Sequence, residues 1–278
     1  MHDRQECGVG PHFCLDNKPM SLWPREHGAY GQLALPLISS FAVAGVSPAG
    51  LAIATAMIAG FAAHEPAVVL LGLRGARVNR NLRRDAQRWF GGSVAVGVFS
   101  AIAALLTMPL GGLWSLLVPT VPASRLAMAT ISGREKSWYG EIAGALAFSG
   151  VAVPIALAAG RPPVVGATVT VPFALLFVAG TLSVRVVILR VRGGGDPRAA
   201  ARTRRAILAL AATAMAVLTW AISAVALPAA VLIAAAPGLA LAAAVAACPP
   251  APTRLRSLGW MLVLASVVTA VATIVGAR

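Results

Sequence analysis

Within otherwise apolar stretches of this chain stand side chains that can do acid–base and anion chemistry, and all lie toward one end of those stretches. His64 and Glu65 are adjacent and precede Pro66; Arg125 and Arg185 interrupt two further apolar runs; Arg25, Glu26 and His27 open the first run; Arg134, Glu135 and Glu141 flank the start of another. Guanidinium groups suit a carboxylate or phosphate, which they hold by paired hydrogen bonds. The candidate anion-binding set is Arg25, Arg74, Arg77, Arg125, Arg134 and Arg185, with Glu135 beside Arg134. His27 or His64 can shuttle protons, because burial and charged neighbours bring a histidine near neutral pH. Glu26, Glu65, Glu135 or Glu141 can act as a base or as a cation ligand. The chain has no Ser–His–Asp order, P-loop, HExxH or CxxC. His2, Cys7, His12 and Cys14 match no common zinc spacing, so no metal site and no cofactor is expected.

What must position these groups is a set of membrane helices. The chain has 278 residues and is 58% hydrophobic, a composition suited to several membrane spans rather than to a soluble domain. Nine runs approach the roughly 20 apolar residues that cross a hydrocarbon core: 27–46, 48–73, 91–107, 112–132, 138–159, 166–189, 206–225, 227–247 and 259–277. The expected fold is all-α, a bundle of about nine transmembrane helices over residues 23–278, behind a disordered cytoplasmic tail at 1–22 that lacks signal-peptide order and is not cleaved. Three cysteines cannot frame a disulfide scaffold, and Cys248 sits at a helix end.

Charge fixes the orientation. Lys+Arg number 23 against 9 Asp+Glu, a net charge of +14, yet the basic residues are confined to short connections between apolar runs, which argues for membrane orientation and against nucleic acid. Arg74, Arg77, Arg80, Arg83, Arg84 and Arg88 lie between runs two and three, Arg134 and Lys136 between four and five, Arg190 to Arg205 between six and seven, and Arg254 and Arg256 between eight and nine. The alternate connections carry almost nothing, only Arg161. This places the protein in the inner or plasma membrane with a cytoplasmic N-terminus and an external C-terminus.

The polar groups within spans then share one depth. Glu65 precedes Arg74 by nine residues, about 13 Å along a helix, and Arg125 precedes Arg134 by the same interval. Charges at such depth cost about 2.5–3.5 kcal/mol each and usually face one another or water. The expectation is a Glu65–Arg125 pair across helices two and four, serving either a cytoplasm-facing cavity or only helix register. Prolines at 36, 66, 119, 122, 154 and 172 each free a carbonyl one turn back. Gly140 and Gly144 form a GxxxG that reads as close helix packing.

The run WPREHGAYGQLALPL at 23–37 resembles the opening signature of the YwiC-like membrane proteins. GREKSWYGEIAGALAFSG at 133–150 resembles their central one, and LSVRVVILR at 182–190 a third, so the resemblance spans most of residues 23–205. It implies a membrane topology and no particular activity. A more distant likeness is to the UbiA-type intramembrane prenyltransferases, which have nine helices and a cavity capped by the loops after helices two and six. That superfamily binds magnesium and a diphosphate through aspartate-rich motifs, whereas each corresponding loop here has one aspartate, Asp85 and Asp196, too few for such a site. Three functions remain open: an intramembrane enzyme or lipid-handling protein binding an anionic or lipid-like small molecule beside membrane lipid, a transporter of a small anion or proton-coupled solute, and a non-catalytic assembly partner.

Overall fold

Apolar runs separated by short polar connections leave each helix little choice but to return beside its predecessor. The computed structural model describes residues 22, 27–191, 197–224, 228–251 and 254–277. Its elements are α1 (His27–Ala44), α2 (Pro48–Leu70), α3 (Ala76–Thr107), a 3₁₀ turn (Leu110–Leu116), α4 (Leu117–Ile131), α5 (Trp138–Gly150), α6 (Ala152–Ala158), α7 (Pro163–Val191), α8 (Pro197–Ala224), α9 (Ala230–Ala247) and α10 (Leu255–Gly276). Every one is helical, as the composition leads one to expect. Seven spans among the described residues are long and apolar enough to cross a membrane: α2, α3, α5 with α6 as one 21-residue unit, α7, α8, α9 and α10. The shorter α1 and the 3₁₀–α4 unit pack into the same bundle, α1 against α5, α6, α7 and α10 and α4 against α5.

Helix α7 is the centre, packing against α1, α5, α6, α8, α9 and α10. Its Phe173, Leu176, Val186 and Val187 are fully buried. Glycines let neighbours come close: a Cβ on Gly166 of α7 would lie 2.5 Å from Val153 Cα of α6, so only hydrogen fits there. Helix α3 packs mainly on α2, and α4 on α5 and the 3₁₀ turn.

Contacts between connections show how the ends are sorted. A Cβ on Gly133, in the α4–α5 connection, would sit 3.4 Å from Leu73 Cδ2 in the α2–α3 connection. Arg204, at the start of α8, donates from Nε to the Ala246 carbonyl at the end of α9 (2.6 Å), a cation on the free carbonyls of a helix C-terminus. At the opposite end Arg161 reaches the Ala44 carbonyl, joining the α6–α7 and α1–α2 connections. The α2–α3 and α4–α5 connections therefore lie together, and so do the start of α8 and the end of α9, as the alternation of charge along the sequence leads one to expect.

Three boundaries differ from the sequence expectation. The six-arginine stretch is not a loop: α3 begins at Ala76, and only Arg74 precedes it. Val78, Leu82, Ala86 and Phe90 recur every four residues, so this extension is an amphipathic helix with the apolar stripe turned inward and Arg77, Arg80, Arg83, Arg84 and Arg88 exposed. Likewise α8 starts at Pro197 rather than at residue 206. The fifth pass is interrupted between Gly150 and Ala152, where Pro154 has no N–H for the Gly150 carbonyl. In the GxxxG, Gly144 does face a neighbour, Leu126 of α4 at 3.6 Å from its would-be Cβ, but Gly140 is crowded by the Glu135 carbonyl of its own turn.

Candidate functional site: a two-ended cavity

Two turns of the same design build the polar end. Helix α2 stops at Gly72, whose φ of +75° suits a residue without Cβ. Gly72 N–H donates to the Val69 carbonyl (3.0 Å) and Leu73 N–H to Val68 (3.1 Å), which closes the helix and turns the chain back along it. Helix α4 ends identically at Gly133, φ +65°: Gly133 N–H donates to Thr130 (2.9 Å) and Arg134 N–H to Ala129 (2.7 Å). The first turn carries Arg74 to Glu65. The second carries Glu135 to His64. Ser137 then caps α5 by accepting from Gly140 N–H (3.3 Å), with Glu141 in the first turn, where the helix dipole favours an anion.

Glu65 is held by both oxygens. Arg74 Nε donates to Oε1 at 2.8 Å and a terminal nitrogen donates to Oε2 at 2.7 Å, the forked geometry that makes Arg–carboxylate pairs strong. The Glu65 side chain is 7% exposed and that of Arg74 33%. The expected Glu65–Arg125 pair does not form, because Arg125 is exposed on α4 and does not reach the cavity. A partner on the same chain, turned back by Gly72, takes the carboxylate first. His64 Nε2 lies 3.8 Å from Glu135 Oε2, with the two side chains 34% and 14% exposed. Glu135 Oε2 itself is buried and accepts no hydrogen bond.

These groups line one end of a cavity of about 2170 Å³ whose walls come from α1 to α5, α7 and α10. Small-molecule pockets usually measure about 300–1,000 Å³, so this one has room for a ligand with a long tail. Its polar end holds His64, Glu65, Arg74, Glu135, Lys136, Glu141 and Arg185. The rest carries no charge and is mostly apolar, lined by Leu35, Ile53, Met57, Phe61, Ala101, Leu113, Leu116 and Phe148 among others, with neutral polar groups such as Gln32, Thr120 and Ser266 between them. The span of α2 from Ile53 to Leu70 gives the cavity a length of about 25 Å. Phe61 meets Tyr30 and Phe148 edge to face, with centroids at 5.3 and 5.8 Å, tying α1, α2 and α5 together along one wall.

Of the residues singled out from the sequence, His64, Glu65, Arg74, Glu135, Glu141 and Arg185 come together here. Arg77, Arg125 and Arg134 do not: each is exposed away from the cavity, and Arg134 serves the α4 turn through its backbone. Arg25, Glu26 and the side chain of His27 lie outside the described residues, as do the His2–Cys14 stretch, Asp196 and Gly193–Gly195. Sequence reasoning missed Lys136 as a lining residue and the Val78, Leu82 and Phe90 stripe, although the four-residue spacing of that stripe is a plain helical signal. Among the described residues no three His, Cys, Asp or Glu side chains gather where they could hold one metal ion.

The family model described as YwiC-like protein matches residues 23–156, which takes in α1 to α5 and most of α6, with every charged cavity residue except Arg185, and with His64. The third resembling stretch, 182–190, lies beyond that match. No curated protein and no solved structure matches the chain.

Proposed function

We propose that this polytopic membrane protein binds an anionic or lipid-like small molecule in its cavity, with the head group at the polar end facing the cytoplasm and an apolar tail lying among the helices. The observation that carries this reading is the division of one cavity into a short charged end and a long apolar remainder. A water-soluble anion has no use for about 25 Å of apolar wall, and a hydrocarbon has none for buried charges. The tail has a route from the bilayer, because α3 and α4 both line the cavity yet pack chiefly on other partners.

The architecture that fits is that of an intramembrane enzyme or lipid-handling protein, UbiA-like in helix number but without aspartate-rich motifs, in which guanidinium groups hold the head group directly. The transporter reading requires a polar route to the far face. On the side of the cavity away from the arginines Ile53, Leu113, Leu116 and Leu117 are apolar and Thr120 adds a neutral hydroxyl but no charge, which favours the first reading.

Purification in mild detergent followed by native mass spectrometry tests it. An amphiphile with an acidic head group should accompany the protein and be displaced by a long-chain alkyl phosphate. A protein that carries nothing and binds no alkyl phosphate refutes the proposal. Comparison of lipid extracts from cells with and without the gene separates an enzyme, which changes a lipid or quinone species, from a transporter or partner, which does not.

A further inference from the structure

The charged groups at the polar end are not equivalent, and the difference specifies the head group. Glu65 and Arg74 satisfy one another through two hydrogen bonds, so that carboxylate has little capacity left for a ligand. Glu135 is in the opposite condition. Its Oε2 is buried against the cavity wall and accepts nothing, and at 3.8 Å the His64 ring nitrogen is beyond hydrogen-bond reach. An ionised oxygen without a donor in a low-dielectric site is costly and gains strongly from any N–H or O–H brought to it. Arg185, half-buried on α7 near the same end, has no carboxylate within ion-pair distance among the described residues. One wall thus offers an acceptor that lacks a donor, and another offers a cation that lacks an anion.

Resting on the cavity reading above, we infer that the ligand is a dipolar amphiphile: an apolar chain, an anionic phosphate or carboxylate for Arg185, and an N–H- or O–H-bearing group for Glu135. Charge alone does not satisfy Glu135. A quaternary ammonium brings positive charge but no donor, so it leaves Oε2 unpaired, whereas a primary ammonium or a hydroxyl pairs with it. Lys136, exposed and lining the same end of the cavity, adds positive potential that favours the anionic part.

The test titrates the protein in detergent with three single-chain phosphodiesters of one alkyl length and without a glycerol hydroxyl: an alkyl phosphoethanolamine, with phosphate and primary ammonium; an alkyl phosphocholine, with phosphate and quaternary ammonium; and an alkyl methyl phosphate, with phosphate alone. The ethanolamine lipid should bind roughly tenfold more tightly than the other two, the worth of one charge-assisted hydrogen bond. Glu135→Gln should abolish that preference and change alkyl methyl phosphate binding by less than about twofold, while Arg185→Gln should weaken all three by roughly tenfold. Should Glu135→Gln not fold, Glu135→Asp, which keeps the charge but withdraws it by one methylene, should reduce the same preference. Equal affinities for the three lipids, unaltered by the variants, overturn the dipolar ligand and leave the cavity reading standing. Binding of none of the three overturns both.

Discussion

Arg74 closes on Glu65 from nine residues further along the chain, with both hydrogen bonds under 3 Å, and does so without leaving its own hairpin. The pair is local in sequence and needs no second helix. It neutralises the best-buried carboxylate of the cavity before any ligand arrives, and it fixes the angle at which α2 hands the chain to α3. The charged end is therefore partly self-satisfied, whereas Glu135 Oε2 accepts no hydrogen bond.

Removing one member of this pair strands the other. Arg74→Ala leaves Glu65 charged and buried, a change that costs about 3–5 kcal/mol when a pair is fully enclosed; with Arg74 a third exposed, solvent screening should reduce it to about 2 kcal/mol. The double variant Glu65→Gln/Arg74→Gln should lose less than the sum of its single changes, by about 1–2 kcal/mol, in reversible unfolding from mixed micelles. Arg125→Ala should change stability by less than about 0.5 kcal/mol, because that side chain is exposed and makes no contact with Glu65. Additive singles, or an Arg125 variant that falls as far as Arg74→Ala, would contradict the pairing.

The turn that makes the pair possible yields a second prediction, with a sign change built in. At Gly72, φ is +75°, so alanine there is strained by about 1–2 kcal/mol and should displace Arg74 as well. At Gly92, inside α3 and with nothing within 4 Å of a new Cβ, alanine should instead stabilise by about 0.5–1 kcal/mol. Thermal melts of the two variants in one detergent should move in opposite directions; movement in the same direction would mean that the α2 turn does not have this geometry.

Much of this architecture is legible from residue type alone. Apolar length gives the passes, and the sorting of arginines gives the two ends, because both depend on composition rather than on contacts. That His64, Glu65, Glu141 and Arg185 meet at one cavity is legible for the same reason: lipid penalises them wherever they are not covered. Pairing is not legible. Depth makes Arg125 an equally plausible partner for Glu65, and only the backbone of Gly72 decides for Arg74. Nor does an arginine-rich stretch announce itself as helix when its charge density suggests a loop; the stripe of Val78, Leu82 and Phe90 carries that information more quietly.

Orientation can be tested directly. The charge asymmetry of the sequence predicts that the arginine-rich end is cytoplasmic, and Cys248, exposed at the end of α9, belongs to that end. Gly111, in the 3₁₀ turn after α3, belongs to the other and has open space beside it. In a variant with Cys7 and Cys14 replaced by serine, a membrane-impermeant maleimide applied to intact cells should label Gly111→Cys and spare Cys248 until the cells are opened. Labelling of Cys248 alone would invert the molecule and place the cavity mouth outside.

The apolar length of the cavity makes the last prediction. Ala101 lies on α3 with its side chain at the cavity wall, deeper than the charged groups and on the α3 side, where the tail would enter from the bilayer. Tryptophan at this position adds a ring to the tail's path without touching His64, Glu135 or Arg185. If the head group binds at the charged end and the tail extends past α3, Ala101→Trp should leave the affinity for a short-chain alkyl phosphate within about twofold and weaken that for a long-chain one by roughly tenfold, the loss of about two buried methylenes. The measurement is a chain-length series on wild type and variant. The affinity of the wild type should rise with each added methylene until the cavity is filled, and that of the variant should level off sooner. Parallel curves would show that the tail lies elsewhere, and a loss for short and long chains alike would show that the substitution had disturbed the head-group end instead.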